Sequence, residues 1–282
     1  MKYTVKHKTL LMEYLLQYHS RKQIKIFLKY KQIYVNQNAI TQFDYTLQPG
    51  DVLEIHREGI PKSNIDILYE DQECIVINKP SGLLSMSDGK EKDKTAYHQV
   101  REYLRKKDRQ AKVFIVHRLD RETSGVLLFA KQEKYKNLLQ EKWNTIVYKR
   151  GYVAIVEGTL KNKQGTIKNY LDESKTHHVY ITKKGGKLAI TNYKVLQENK
   201  GYSAVEVFLE TGRKNQIRVH MQSLGHPIVN DKKYGGMSNP IQRLGLHAHI
   251  LAFTHPTTNK KMEYTAPIPT AFKKVYTVNH KY

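Results

Sequence analysis

HRLDRETSGVLLFAK, residues 117 to 131, is the stretch from which the rest of the chain is best read. It sets one acidic side chain, Asp120, between Arg118 and Arg121, just before a Thr-Ser-Gly turn. VFIVHRL at 113 to 119 and VLLFAK at 126 to 131 read as strands on either side of that turn. A carboxylate flanked by cations is expected to stay ionised at neutral pH, because nearby positive charge favours the charged form. Such a group can act as nucleophile or base. Taken alone, the same pattern also describes a surface ion pair at a strand end, so the surrounding sequence has to separate the two readings.

Composition narrows the choice. The 282 residues suffice for one large domain or a large and a small one. Lys and Arg total 48 against 26 Asp and Glu, a net charge of +22, far beyond the needs of solubility. A polyanionic partner follows. No segment reaches the roughly 18 apolar residues of a spanning helix and no amphipathic basic anchor stands out, so nucleic acid is expected and a membrane is not. The single cysteine, Cys74, lies in the apolar run CIVIN and reads as a small buried hydrophobe. His177 with His178, and His247 with His249, lack carboxylate or thiolate company at ligand spacing, so no metal is expected. The start, MKYTVKHKTL, has no apolar core of signal-peptide length, and the cytoplasm is the expected compartment.

Outward from the opening stretch, IDILYE at 65 to 70 and CIVINKP at 74 to 80 predict a hairpin across Asp71, Gln72 and Glu73, followed by a tight loop at Lys79, Pro80, Ser81 and Gly82. The charged stretch at 90 to 112 predicts a solvated helix around 96 to 106. EKYKNLLQEKW at 133 to 143 and NQIRVHMQSLG at 215 to 225 predict helices, and YVAIVEG, AITNYKVL, YSAVEVFLE and HAHILAFTH predict strands. Strands outnumber helices without regular alternation. That points to an α+β fold with a mixed, largely antiparallel central sheet and flanking helices, and disfavours a doubly wound one. No G-x-G-x-x-G or Walker pattern exists to cradle a nucleotide, which speaks against a dinucleotide or ATP enzyme.

The N-terminal part has a different texture. Leu10, Leu11, Tyr14 and Leu15, then Ile24, Ile26, Phe27 and Leu28, predict two short amphipathic helices with Lys and Arg on their polar faces. IYVNQ at 33 to 37 and VLEIH at 52 to 56 predict strands, with a turn at Gln48, Pro49, Gly50 and Asp51. Glu58, Gly59, Ile60 and Pro61 make a natural boundary. The expected organisation is a small basic α/β module over 1–60 and a catalytic domain over 61–282.

KPSGLLS at 79 to 85, HRLDRETSG at 117 to 125, YVAIVEG at 152 to 158, TGRKNQIRVHMQSLGHPIVNDKKYG at 211 to 235 and LHAHILAFTHP at 246 to 256 form one ordered set. Together they resemble the RluA-type pseudouridine synthases over about residues 65 to 270. The resemblance implies the sheet of that fold and an isomerase that detaches uracil from its ribose in RNA and reattaches it through ring carbon 5, without a cofactor. Asp120 matches the family's catalytic aspartate. One carboxylate suits this chemistry because the departing base is the group that returns, whereas glycoside hydrolysis needs a second carboxyl to serve water. Attack on the anomeric carbon, attack on the ring and assistance to a glycal all remain open.

Tyr152 matches the tyrosine that packs on the target uracil, and Arg218 the arginine that pairs with the aspartate, a task for which its planar fork is suited. Taken alone, Tyr152 is a core aromatic on a strand, and Arg218 a phosphate contact or surface pair. Arg118 matches the arginine that helps fill the gap left by the extruded base, whose unstacking costs a few kcal/mol. Lys79 is a candidate phosphate contact, Arg213 a candidate support of the active site, and Tyr234 and Gly235 a turn beside the cleft. The chain departs from the family's habits at Asn215, where His is common, at Arg150, where Lys is common, and after KPSG, where Ser85, Met86 and Ser87 replace a His.

Through SRKQIKIFLKYKQIYVNQ at 20 to 37 and LQPGDVLEI at 47 to 55, residues 1 to 60 resemble the alpha-L RNA-binding module often attached to these synthases, although Lys31 and Gln37 replace its usual glycines. Arg21, Lys22, Lys25 and Lys29 fall on a helix at spacings that present one basic face, able to hold phosphates but not to read sequence. Ribosomal RNA is favoured over transfer RNA as partner, and a monomer is expected. The competing reading is a non-catalytic RNA-binding or ribosome-assembly protein on the same scaffold.

Overall fold

In the computed structural model, every residue of the strand Ser124–Ala130 is buried, and this is why its sequence is a continuous apolar run instead of an alternating one. It pairs antiparallel with Cys74–Lys79, and successive side chains of both strands turn to opposite faces of the sheet. Cys74, Val76, Val126 and Leu128 pack with Tyr135 and Leu139 of the helix Glu133–Glu141. Ile75, Ile77, Leu127 and Phe129 pack with Val100 and Leu104 of the helix Ala96–Lys107. The latter helix is therefore more than a solvated face: Ala96, Val100 and Leu104 recur every four residues and bury one stripe, and the Thr95 side chain caps its start by accepting the His98 N–H.

The structure describes residues 2–29, 31–56, 65–89, 91 and 93–276, and for Lys22 and Lys29 the backbone only. The chain divides into two compact units, Met1–Asn64 and Ile65–Tyr282; the boundary expected at 58 to 61 lies outside the described residues. The sheet of the larger unit runs in the order Val179–Thr182, Gln164–Glu173, Lys187–Asn199, Tyr202–Leu209, Val147–Glu157, Leu246–Thr254, Ser124–Ala130, Cys74–Lys79, Asp66–Glu70. Lys261–Thr265 lies beside Leu246–Thr254, and Phe114–Ile115 beside Ser124–Ala130. Ser124–Ala130 runs parallel to Leu246–Thr254, and the other pairs are antiparallel, so the sheet is mixed and largely antiparallel as expected.

At the parallel junction the glycine of HRLDRETSG is required. Gly125 has φ +115°, and a Cβ there would stand 2.0 Å from the Ala248 carbonyl oxygen. Next to it, Arg243 donates to the Ser124 hydroxyl at 2.7 Å, and that hydroxyl meets His247 Nδ1 at 2.7 Å, tying the two strands by a buried polar link.

One expectation about strands needs correction, and three further strands were not anticipated. VFIVHRL pairs only at Phe114–Ile115; the residues that follow leave the sheet and line a cleft. Gln164–Glu173, Val179–Thr182 and Lys261–Thr265 are strands that carry no strong apolar signal, because they lie toward the sheet's edge and bury few side chains.

The smaller unit has its own core, drawn from Leu11, Leu15, Ile24, Phe27, Ile33, Leu53 and Ile55 among others. The two expected helices are present at Leu11–Leu16 and Arg21–Lys29, and the expected strands at Ile33–Val35 and Val52–Ile55 join a four-stranded sheet. A capping box starts the second helix: the Ser20 hydroxyl accepts the Gln23 N–H, and the Gln23 side chain accepts the Ser20 N–H. Lys31 (φ 53°) and Gln37 (φ 70°) hold the left-handed backbone that glycine would adopt freely, at about 1–2 kcal/mol each.

Burial pushes His220 and His247 down to about 4, and His117 likewise. Their folded values lie below the unfolded one, so the unfolded chain binds more protons between about pH 6.5 and 4. What these histidines contribute to the stability of the larger unit is expected to be fully present above pH 6.5 and to fall with acidification by up to about 1.4 kcal/mol per pH unit for each histidine. Urea midpoints measured from pH 7.5 to 5 check this, and a flat profile contradicts it.

Candidate active site

A cavity of about 1260 Å³ opens in the larger unit, and Asp120, Tyr152 and Arg218 all line it. Asp120 sits in the loop that leads into Ser124–Ala130, and that loop is fastened by the KPSGLLS segment. Ser85 Oγ donates to the Leu119 carbonyl at 2.7 Å and accepts the Leu119 N–H at 3.0 Å. The Gly82 N–H donates to the Arg121 carbonyl at 2.9 Å, and the Ser81 hydroxyl to that of Glu122 at 2.7 Å. Lys79 is completely buried, and its ammonium donates to the carbonyls of Pro80, Leu83 and Arg121 at 3.0, 2.6 and 3.0 Å. Burial pushes this group down to about 7, while three carbonyl oxygens match its three N–H donors. The expectation that Lys79 contacts phosphate is thereby overturned, since it has neither exposure nor a donor to spare.

Arg218 projects from the helix Gln216–Ser223. Its fork grips Asp231, with Nε and Nη2 each 2.7 Å from a carboxylate oxygen, and only Nη1 reaches Asp120, at 3.3 Å. The Asp231 side chain is wholly buried, whereas that of Asp120 keeps 37 % of its surface exposed. Burial opposes the Arg218 charge, but the hydrogen bonds and charge of Asp231, with Asp120 behind them, hold it above the ordinary arginine range. Asn215 accepts from Nη1 at 3.1 Å and donates to the Tyr234 hydroxyl oxygen at 2.9 Å, and the guanidinium lies 4.9 Å from the centre of the Tyr234 ring. Asn215 caps the helix at φ 53°, a left-handed conformation that asparagine tolerates better than most residues.

Tyr152 reaches the cavity from Val147–Glu157 at an irregularity in pairing: Gly151 faces Ile250 but Tyr152 faces Ala248, so the partner strand carries an extra residue there. Such bulges re-aim a side chain. Burial pushes the Tyr152 phenol up to about 12; Arg150 pulls it down and Asp120 adds to the rise, and it remains a neutral O–H at physiological pH. Arg118 and Arg213 are exposed and also line the cavity, Arg213 with its Nε committed to the Leu188 carbonyl at 2.9 Å. The expected bracket of cations around Asp120 is not what forms. Arg121 turns toward Glu91 and Asp88, at 3.6 and 4.0 Å, and the cation that touches Asp120 comes from 98 residues along the chain. Among the described residues, no group of three or more His, Cys, Asp or Glu side chains could hold a metal ion, and no helix is long and apolar enough to cross a membrane.

Residues 73–223 match the family model of the RNA pseudouridylate synthases. The chain belongs to this family. The synthase is 34% identical over 266 residues to an uncharacterized RNA pseudouridine synthase, YhcT, of Bacillus subtilis (strain 168), covering 91% of this chain and 88% of that one. It is 32% identical over 276 residues to the ribosomal large subunit pseudouridine synthase D of Vibrio cholerae, covering 89% and 84%. Among solved structures, the human RNA pseudouridylate synthase domain containing 1 superposes with a TM-score of 0.63 at 25% identity, over 78% of this chain and 92% of that one.

Asp120, Tyr152 and Arg218, each singled out in the sequence, meet in one cavity, whereas Asp231, which holds the synthase's arginine most tightly, was not among the candidates. A signal was present: NDKKYG at 230 to 235 offers a lone acid beside two lysines, at the end of the motif that carries Arg218. Asp231→Asn is expected to lower kcat at least about tenfold with KM little changed, because the fork of Arg218 loses its charged anchor and Asp120 its fixed partner. Asp231→Glu should recover only part of the loss, and an unaltered kcat in the asparagine variant would show that Asp120 is positioned without it.

Proposed function

We propose that the synthase converts specific uridines of ribosomal RNA to pseudouridine, with Asp120 as its catalytic carboxylate and no bound cofactor. The observation that carries this reading is the asymmetry of the Arg218 cluster. One guanidinium serves two carboxylates, the buried Asp231 through a bidentate grip and Asp120 through a single longer bond, and only Asp120 keeps surface open to the cleft. Asp120 is thus held in position without being fully neutralised.

The bond from uracil N1 to the anomeric carbon breaks, a bond from ring carbon 5 forms, carbon 5 loses a proton and N1 gains one. Nothing is oxidised and no atom is added, so the chemistry asks for no cofactor. Attack on the sugar, attack on the ring and assistance to a glycal all use the same carboxylate. Tyr152 packs against the uracil and helps to relay the proton that leaves ring carbon 5, its own phenol being neutral at rest. Arg118, exposed at the cleft, fills the gap left in the RNA stack, and Arg213 supports the bound strand.

The N-terminal unit acts as a further RNA-binding module. Arg21 and Lys25 are exposed one turn apart on the helix Arg21–Lys29; the side chains of Lys22 and Lys29 lie outside the described residues. An RNA partner is supported by the net charge of +22, and ribosomal RNA in particular by the Vibrio cholerae relative's designation and by the N-terminal module. A monomer acting in the cytoplasm is the form this reading takes.

Asp120→Asn is expected to abolish tritium release from bulk RNA labelled at uracil carbon 5, while RNA affinity stays within about twofold of wild type, because no phosphate contact is removed. Equally little release by both proteins, with both still binding RNA, would favour a non-catalytic RNA-binding role. Removing residues 1 to 64 is expected to weaken RNA binding and flatten its dependence on salt by about 0.7 in log–log slope for each phosphate that the module neutralises. An unchanged slope would remove the module from the RNA interface.

A further inference from the structure

We propose a second nucleobase subsite in the same cavity, built from Trp143 and His117, that stacks a base flanking the target uridine. This rests on the cleft being the RNA site and adds what lies beside the reacting nucleotide. Trp143 is the sole tryptophan, carried on the short helix Trp143–Ile146. It is half-buried, lines the cavity, and packs at its base on the core cluster that also takes Phe114. Its ring lies 5.0 Å from that of His117 with 37° between the planes.

His117 is held rigidly. Its Nε2 accepts the Leu128 N–H at 3.1 Å, so in the neutral ring the proton sits on Nδ1. The ring is neutral because burial, with Arg150 beside it, pushes it down to about 4. The loop bearing His117 is further pinned by Gln140, whose amide donates to the carbonyls of Ile115 and Val116 at 3.2 Å each. Lys136 and Arg150 line the same cavity, Arg150 with its Nη2 donating to the Glu210 carbonyl at 2.6 Å.

A fixed aromatic pair with cations around it is the combination that binds single-stranded nucleic acid, since every base has a π face and every linkage a phosphate. An RNA opened to extrude its target base presents flanking bases that are themselves unpaired, and one that lies beyond the gap filled by Arg118 can stack on Trp143. The cluster of Asp120, Tyr152 and Arg218 makes no use of either ring. Stacking of this kind is sequence-tolerant, so the subsite strengthens binding without choosing a base.

The sole tryptophan makes the test direct. A short oligouridylate is expected to quench the fluorescence of the full-length protein saturably, while heparin, a polyanion without bases, binds without comparable quenching. Trp143→Ala should weaken oligouridylate binding between about fivefold and a hundredfold and raise KM on the tritium-labelled RNA, with Trp143→Phe losing distinctly less. Absence of quenching at saturating oligouridylate, or equal quenching by heparin, overturns the subsite, and the wild-type measurement stands even if a variant fails to fold. Tritium release by wild type and not by Asp120→Asn, without quenching, would leave the reaction and remove the subsite. Quenching by oligouridylate alone with no release would do the reverse.

Discussion

The guanidinium of Arg218 is the point on which the cleft is organised. A cation this far from water needs compensation, and the wholly buried Asp231 supplies it with two parallel hydrogen bonds at 2.7 Å. Once that pair is satisfied, the remaining Nη1 is aimed by geometry alone, and it meets Asp120 and Asn215. The Tyr234 ring and hydroxyl close the arrangement from behind, by stacking on the guanidinium and by taking the Asn215 amide. A rigid, charge-compensated arginine can touch a second, partly exposed carboxylate without being drawn into a symmetric ion pair with it.

The other half of the site is delivered by backbone. The Asp120 loop has no regular structure of its own, and its carbonyls would be costly to leave unpaired beside the core. Residues 79 to 85 meet this need through Lys79, Ser81, Gly82 and Ser85, so that segment fastens the loop. Past the loop, Gly125 allows Ser124–Ala130 to approach Leu246–Thr254 at the parallel junction. Tyr152 then faces the same cavity because the neighbouring strand pair slips register at Gly151. Positioning of the acid, the arginine and the tyrosine therefore depends on different elements, each set by local polar satisfaction or a single close approach.

Much of the fold was legible in local pattern. The double-sided burial of Ser124–Ala130 wrote itself as an unbroken apolar run, and the apolar spacing of Ile24, Phe27 and Leu28 announced the second N-terminal helix, which the capping box at Ser20 starts. Strands at the sheet's edge were not legible, because Gln164–Glu173 buries only Ile167 and Leu171 and its other side chains answer to solvent. VFIVHRL misled for the opposite reason: Val113 and Leu119 are buried in the cluster of the helix Ala96–Lys107 and Val116 in that of Glu133–Glu141, while strand pairing is limited to Phe114–Ile115.

The sequence by itself determined the α+β layout, the basic character of the surface and the identity of the groups that line the cleft, because burial pattern and residue chemistry are local properties. Only the tertiary structure decided which charges meet. Arg118 and Arg121 are Asp120's neighbours along the chain, yet the cation it touches is Arg218; Lys79 looks like a phosphate ligand in the chain and proves to be a buried clamp; Asp231 is inconspicuous until a guanidinium packs against it. Partnerships among polar groups are set by distances of about 3 Å between atoms far apart in sequence, and those distances exist only once the chain has folded.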